Sequence, residues 1–168
     1  MEYTLRHWRL EDADSLARYA NNAAIAKNLR DGFPHPYLPE DAVQYIKSCL
    51  EAERAKKWLY AITVNDEAIG SIGVFRQGDI YRKSAELGYW LAEPFWGNEI
   101  ASRAVNDICK QVFAQSDVIR IYAEPFLKNA ASRRVLEKNG FVLEGILRRN
   151  AIKGGETLDS CIYALLKE

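Results

Sequence analysis

Apolar and polar positions recur along this chain with periods that switch between two and about 3.6, and the switches mark out its elements. YTLRHW (Tyr3 to Trp8) alternates as a strand, and LEDADSLARYANN follows with acids in its opening turn and apolar residues at helical spacing. DGFPHPYLP (Asp31 to Pro39) holds three prolines and a glycine and reads as loop. EDAVQYIKSCLEAERA then sets Ala42, Val43, Ile46 and Leu50 on one helical face, with Pro39 suited to its start. WLYAITV and AIGSIGVF are β-rich runs joined by Asn65, Asp66 and Glu67, the pattern of an antiparallel hairpin, and SAELGYWL (Ser84 to Leu91) is a further strand. Ile100, Ala104, Ile108 and Val112, flanked by Ala101, Val105, Cys109 and Phe113, give a long helix with a broad buried stripe. IRIYAE is a strand, NAASRRVLEKN a short helix closed by Gly140, and FVLEGILRR and TLDSCIYALL two strands linked through Gly154 and Gly155. No linker or repeat interrupts this order. It predicts one domain over residues 1–168, an α/β (α+β) fold with a mixed, mostly antiparallel sheet and helices on both faces.

Composition narrows the function more than the fold. With 168 residues, 48% of them hydrophobic, the chain can bury one core without metal or disulfide staples. Lys+Arg and Asp+Glu both total 23, so no overall field favours nucleic acid or an anionic membrane, and any charged ligand must be held locally. The start MEYTLRHW lacks a basic segment followed by an apolar one, and no 18-residue apolar run occurs, which leads to an expectation of a cytoplasmic protein. Cys49, Cys109 and Cys161, accompanied only by His7 and His35, fit neither a disulfide framework nor a zinc site and are expected to be packing residues.

PFWGNEIASRAV (Pro94 to Val105) raises a question of charge. A strand ending at Leu91, a turn with Pro94 and Gly97, and a helix beginning near Asn98 would aim unpaired backbone N–H groups at one point, a place for a phosphate. Gly97 alone is equally explained by a tight strand-to-helix turn. Neither the Walker pattern nor the Gly-x-Gly-x-x-Gly fingerprint is present. Glu99 puts a negative charge where an anion would sit. Three or four charge-assisted amide contacts would outweigh one solvated carboxylate if Glu99 points outward, and a helical φ at that position would remove any need for glycine.

AELGYWLAEPFWGNEIASRAV together with YAEPFLKNAASRRVLEKNGFVLEGILRR resembles the GNAT acyltransferases, and within them the RimJ/RimL-type branch, which acetylates ribosomal-protein N-termini and other amines. The resemblance covers nearly the whole chain. It implies a six- to seven-stranded acyl-CoA N-acyltransferase fold in which the ELGYWL and IYAE strands splay apart. Pantetheine of acetyl-CoA would run along Tyr89, Trp90 and Leu91 by backbone hydrogen bonds. The pyrophosphate would sit on Trp96, Gly97, Asn98, Glu99, Ile100, Ala101 and Ser102, and Asn129 and Ser132 would lie beside the pantetheine arm and thiol. The family loop usually carries glycine where Glu99 stands, so the resemblance is weakest there. Two family groups are missing: the carboxylate that often follows EG-x-L-R, replaced by Asn150 and Ala151, and the tyrosine before E-K-x-G-F, replaced by Leu136.

Acyl transfer to an amine needs a base for the ammonium, donors for the oxyanion and a proton for the leaving thiolate. Alternation puts Glu86, Gly88 and Trp90 on one face of their strand, so Glu86 faces a gap left by a glycine and is the leading candidate base; pairing to an arginine on the sheet face is the alternative. Arg120, Tyr122 and Glu124 form a polar row on the facing strand, with Glu124 a second candidate base. Ser132 is the candidate donor to the thiolate, and Asn129 is equally an ordinary helix cap. Arg133, Arg134 and Lys138 read as phosphate contacts or as an exposed helix face, and His7 and His35 carry no clear role. Phe33, Tyr37, Trp90 and Phe126 are candidates to shape an acceptor pocket. The expectation is an acetyl-CoA-dependent N-acetyltransferase acting on a small-molecule or peptide amine by direct attack in a ternary complex, as a monomer or homodimer, without metal, nucleic acid or membrane. A non-catalytic acyl-CoA-binding or interaction module of the same fold is the alternative.

Overall fold

A computed structural model describes all of residues 1–168. The sheet has seven strands: β1 Thr4–Arg6, β2 Lys57–Val64, β3 Glu67–Arg76, β4 Ser84–Leu91, β5 Arg120–Ala123, β6 Val142–Lys153 and β7 Glu156–Leu166. Their spatial order is β1-β2-β3-β4-β5-β7-β6, and β4 with β5 is the one parallel pair. The helices are α1 Ala13–Ala20, α2 Ala23–Ala26, α3 Pro39–Glu51, α4 Ile100–Gln115 and α5 Ala130–Lys138.

Local chemistry explains the turns. Asn65 and Asp66 both take positive φ, 49° and 67°, the geometry a two-residue hairpin requires, so β3 already begins at Glu67 rather than after it. Gly154 and Gly155 do the same between β6 and β7 at 57° and 78°. α3 starts with Pro39 at its first turn, where a missing N–H costs nothing.

Two layers cover the sheet. On one face α4 buries Ile100, Ala104, Val105, Ile108, Cys109 and Val112 against β-strand residues including Ile72, Val74, Leu87 and Ile121. On the other, α1 and α3 bury Leu16, Ala20, Ala42 and Ile46 around Trp8. The apolar face of α3 differs from expectation, because Ala42, Tyr45, Ile46 and Cys49 pack inward while Leu50 is exposed. That helix turns its i, i+3, i+4, i+7 set towards the sheet, and Leu50 falls one position beyond it.

Candidate active site

The cleft begins where β4 and β5 part. Three residue pairs join them, Ser84 with Arg120, Ala85 with Ile121 and Glu86 with Tyr122; β4 then runs on to Leu91 while β5 stops at Ala123. A cavity of about 1350 Å³ opens at this fork, more than the roughly 300–1,000 Å³ that suits one small ligand, so two reactants can meet in it. Its walls come from β4, the start of α4, α5, the segment after α2 and the end of β6.

The phosphate question resolves into geometry. α4 starts at Ile100, two residues later than expected, with Glu99 as its N-cap. The backbone at Glu99 is left-handed, φ 60°, and Gly97 is at 79°, so the helical φ that would have removed the need for glycine at position 99 does not occur. These reversals keep the chain from closing hydrogen bonds on itself: the main-chain N–H groups of residues 97–102 donate to no protein acceptor. Six such donors lie at the positive end of a 16-residue helix, an arrangement that suits an anion. The Glu99 carboxylate is turned outward onto Lys138 of α5, whose ammonium hydrogen-bonds it and holds its pKa below the usual carboxylate range. Asn139 steadies the loop from α5 by donating to Ser102 O at 3.1 Å and Ser102 Oγ at 3.2 Å.

Most of the expected cofactor residues meet at the cavity wall: Tyr89, Trp90, Leu91, Trp96, Gly97, Glu99, Ile100, Ala101, Ser102, Asn129 and Ser132. Asn98 does not, because its amide turns back to the carbonyls of Phe95 and Trp96. The Leu91 carbonyl already accepts the Trp96 indole N–H at 2.8 Å, which leaves it one lone pair for another donor.

On the other face of β4, Glu86 has both oxygens engaged. Oε1 accepts from Arg30 Nη2 at 2.6 Å and Oε2 from the Tyr122 hydroxyl at 3.2 Å. The pairing with an arginine therefore exists, but its partner comes from the segment after α2. Arg30 is 73% exposed and Glu86 only 22%, so the guanidinium end of the pair is solvated while the carboxylate end is half-buried. Burial, then the charge of Glu86, pushes the Tyr122 phenol up to about 12, which keeps it a donor. Glu124, half-buried, also lines the cavity. The expected polar row is broken, since Arg120 turns to Glu144 in a bidentate pair at 2.7 and 2.8 Å.

Ser132 stands in the first turn of α5. Its N–H donates to Asn129 Oδ1 at 3.2 Å, so Asn129 is the helix cap expected, and its Oγ lies 2.8 Å from the Tyr89 hydroxyl. Leu136, one turn on, is wholly buried. Phe33 packs edge-on to Trp90 at 5.6 Å and against Tyr37 at 5.0 Å, and with Phe126 these rings line the cavity. His35 is exposed and off the cavity wall, and His7 packs on Tyr60 beside a smaller cavity. None of the cysteines lines the large cavity: Cys109 and Cys161 are core residues, and Cys49 is half-buried on α3. Arg133 donates to Tyr163 and the Leu127 carbonyl, a structural use rather than a phosphate contact. Arg30 and the Tyr89 phenol are the groups sequence reading missed. Each partner lies more than 40 residues away, and no local pattern announces such contacts.

Residues 3–142 match the family model described as an acetyltransferase (GNAT) domain. The uncharacterized N-acetyltransferase p20 of Bacillus licheniformis is 31% identical over 165 residues, 98% of this chain and 92% of that protein. The ribosomal-protein-serine acetyltransferase of Escherichia coli (strain K12) is 30% identical over 112 residues, 67% of this chain and 62% of that protein. In the solved structures, the microcin C7 self immunity acetyltransferase MccE in complex with acetyl-CoA and AMP superimposes with a TM-score of 0.87 at 24% identity, covering 99% of this chain and 93% of its own. RimL, a ribosomal L7/L12 α-N-protein acetyltransferase solved with coenzyme A, gives 0.87 at 24% identity with 98% and 93% covered. At these identities the structural likeness concerns the fold.

Proposed function

The chain belongs to the GNAT acetyltransferase family, and from that premise we propose that it transfers the acetyl group of acetyl-CoA to a primary amine, of a peptide N-terminus or a small molecule, by direct attack in a ternary complex. The observation that carries this reading is the set of free N–H groups at residues 97 and 99–102, on the wall of the same cavity as Glu86, Glu124 and Ser132. The donors suit a diphosphate, and the unpaired length of β4 suits an extended amide-bearing arm. Glu86, or Glu124, takes the proton from the acceptor ammonium directly or through water, once the acceptor has displaced Arg30. The free amine attacks the thioester carbonyl, and Ser132 faces the departing sulfur. With no cysteine on the cavity wall, nothing there favours an acyl-enzyme.

Peptide amines are favoured among acceptors by the relatives named for ribosomal proteins. The Arg30 pair on Glu86 favours a second reading, an acyl-CoA-binding module without turnover. Calorimetric titration with acetyl-CoA, followed by mass spectrometry of a cell extract incubated with the protein and isotopically labelled acetyl-CoA, separates the two. Binding with label transferred to amines supports the enzyme; binding without transfer supports the module; no binding refutes both.

A further inference from the structure

We propose that the Tyr89 phenol is a positioning residue for departure of the thiol: it donates to Ser132 Oγ and so leaves the serine's own hydrogen free to point into the cleft at the sulfur. The inference rests on the acetyl-transfer reading and adds a residue from β4 to it. Ser132 is the one hydroxyl on α5, and it lines the cavity where Leu136 has no proton to offer.

A helical serine usually spends its hydroxyl hydrogen on a carbonyl one turn back. Ser132 does not, and the single partner of its Oγ is the Tyr89 hydroxyl at 2.8 Å. That hydroxyl also lies 3.4 Å from the Ser132 carbonyl oxygen, which can only accept. Either oxygen of the 2.8 Å contact can donate, and the phenol, the more acidic of the two hydroxyls, is assigned as its donor. Ser132 Oγ is then the acceptor in this contact, and its own hydrogen, with no protein acceptor taking it, is free to turn to the cavity that the residue lines.

Both groups are held in place. Tyr89 stands on a strand paired along its length to β3, and Asn129 fixes the main chain of Ser132. Burial holds the phenol up at about 12, so it remains protonated, and a donor, through the neutral range. In the step itself the amine nitrogen forms the C–N bond, the carbonyl π pair moves to oxygen and returns to re-form the C=O bond as the C–S bond breaks, and the sulfur leaves with the C–S pair. The ammonium proton goes to the carboxylate side of the cleft or to water. Ser132 hydrogen-bonds the developing thiolate without giving up its proton, Tyr89 keeps its own, and solvent protonates the free thiolate.

The test compares Tyr89→Phe, Ser132→Ala and the double variant by steady-state kinetics with acetyl-CoA and an amine the wild type accepts, with acetyl-CoA affinity measured by calorimetry. A donor aimed at developing charge is worth about 10²–10³ in kcat, and one acting through a neighbour less, so Tyr89→Phe is expected to lower kcat about 10- to 50-fold with KM and Kd for acetyl-CoA within about twofold. The double variant should be no slower than Ser132→Ala alone, because the phenol acts through the serine. Placing 4-aminophenylalanine at position 89, which restores a donor in the same outline, should recover kcat to within about threefold, whereas 4-fluorophenylalanine should behave like phenylalanine; this pair keeps the comparison sound if Tyr89→Phe folds poorly. Unchanged kcat, a loss that multiplies with that of Ser132→Ala, or a loss confined to acetyl-CoA affinity each overturns the inference while leaving the enzyme reading intact. A wild type that releases no thiol with any amine overturns both.

Discussion

Glycine at position 99 should make this protein both more stable and a tighter binder of acetyl-CoA. The left-handed backbone at that position costs an L-residue roughly 1–2 kcal/mol, and glycine gives back about 0.5–1 kcal/mol through its freer unfolded chain, leaving a net gain of about 0.5–1 kcal/mol. In a domain of this size each kcal/mol moves Tm by about 2–4 °C, so Glu99→Gly should raise Tm by about 1–4 °C. The lost contact with Lys138, exposed at both ends, offsets little of this. For binding, the substitution removes a like charge from the rim of the N–H cluster and frees Lys138 to meet a phosphate. One charge pair at contact distance in water is worth about a fivefold change in Kd, and a solvated interaction should shrink when salt shortens the screening length from about 10 Å to a few ångströms. Differential scanning fluorimetry and calorimetric titration at 0.1 M and 1 M salt read both effects. Weaker binding by Glu99→Gly would show that the carboxylate serves the coenzyme instead of opposing it, and an unchanged Tm would remove the strain from the account.

Three further outcomes follow from other contacts. Glu86→Gln, which keeps the size of the side chain and loses its basicity, should lower kcat about 100-fold with acetyl-CoA affinity kept; full activity would pass the role to Glu124 or to solvent. Gly70→Ala should lower Tm by about 3–10 °C, because the added Cβ would sit 2.5 Å from the Trp90 carbonyl oxygen on the adjoining strand, a backbone atom with little room to give; a Tm within 1 °C of wild type, to about the error of the melt, would refute that packing. Stability should decline as pH rises from about 10 towards 12: burial lifts the Tyr37 and Tyr89 phenols to about 12, above their unfolded value near 10, so over that window the native chain holds more protons than the unfolded one and is disfavoured as they are removed. Denaturant melts at pH 8 and pH 11.5 giving equal midpoints would contradict it.

What was legible in the sequence follows from how far apart the causes lie along the chain. The hairpin turns at Asn65–Asp66 and Gly154–Gly155, the buried stripe of α4 and the Asn129 cap are local events, and each was readable from residues within a turn or two. α2 was not, because Ala23–Ala26 is a four-residue helix with no period to detect. The identity of Glu86 as a cleft carboxylate was also readable, since strand alternation and Gly88 beside it require no partner. Its engagement by Arg30 was not: the guanidinium arrives from 56 residues upstream, after a loop whose path depends on tertiary packing. The Glu99 backbone marks the limit from the other side. Its acidic side chain suggested a helical first turn by propensity, and the loop's need for a reversal overrode that preference.

The fork between β4 and β5 turns these separate features into one site. Parallel pairing holds the strands together as far as Glu86 and Tyr122, so the two acceptor-side groups are joined by the last rung of the ladder and touch through a hydrogen bond. Past that rung β4 continues alone, and its alternation divides the work: Glu86 and Trp90 face the α1–α3 layer, while Tyr89 reaches through to Ser132 on the α5 side. A group held between the strands at Gly88 therefore has a carboxylate on one side and a hydroxyl on the other, within two residues of strand. Gly88 has no atom within 4 Å of the Cβ it lacks, so its place on the cavity wall leaves that space open beside Glu86.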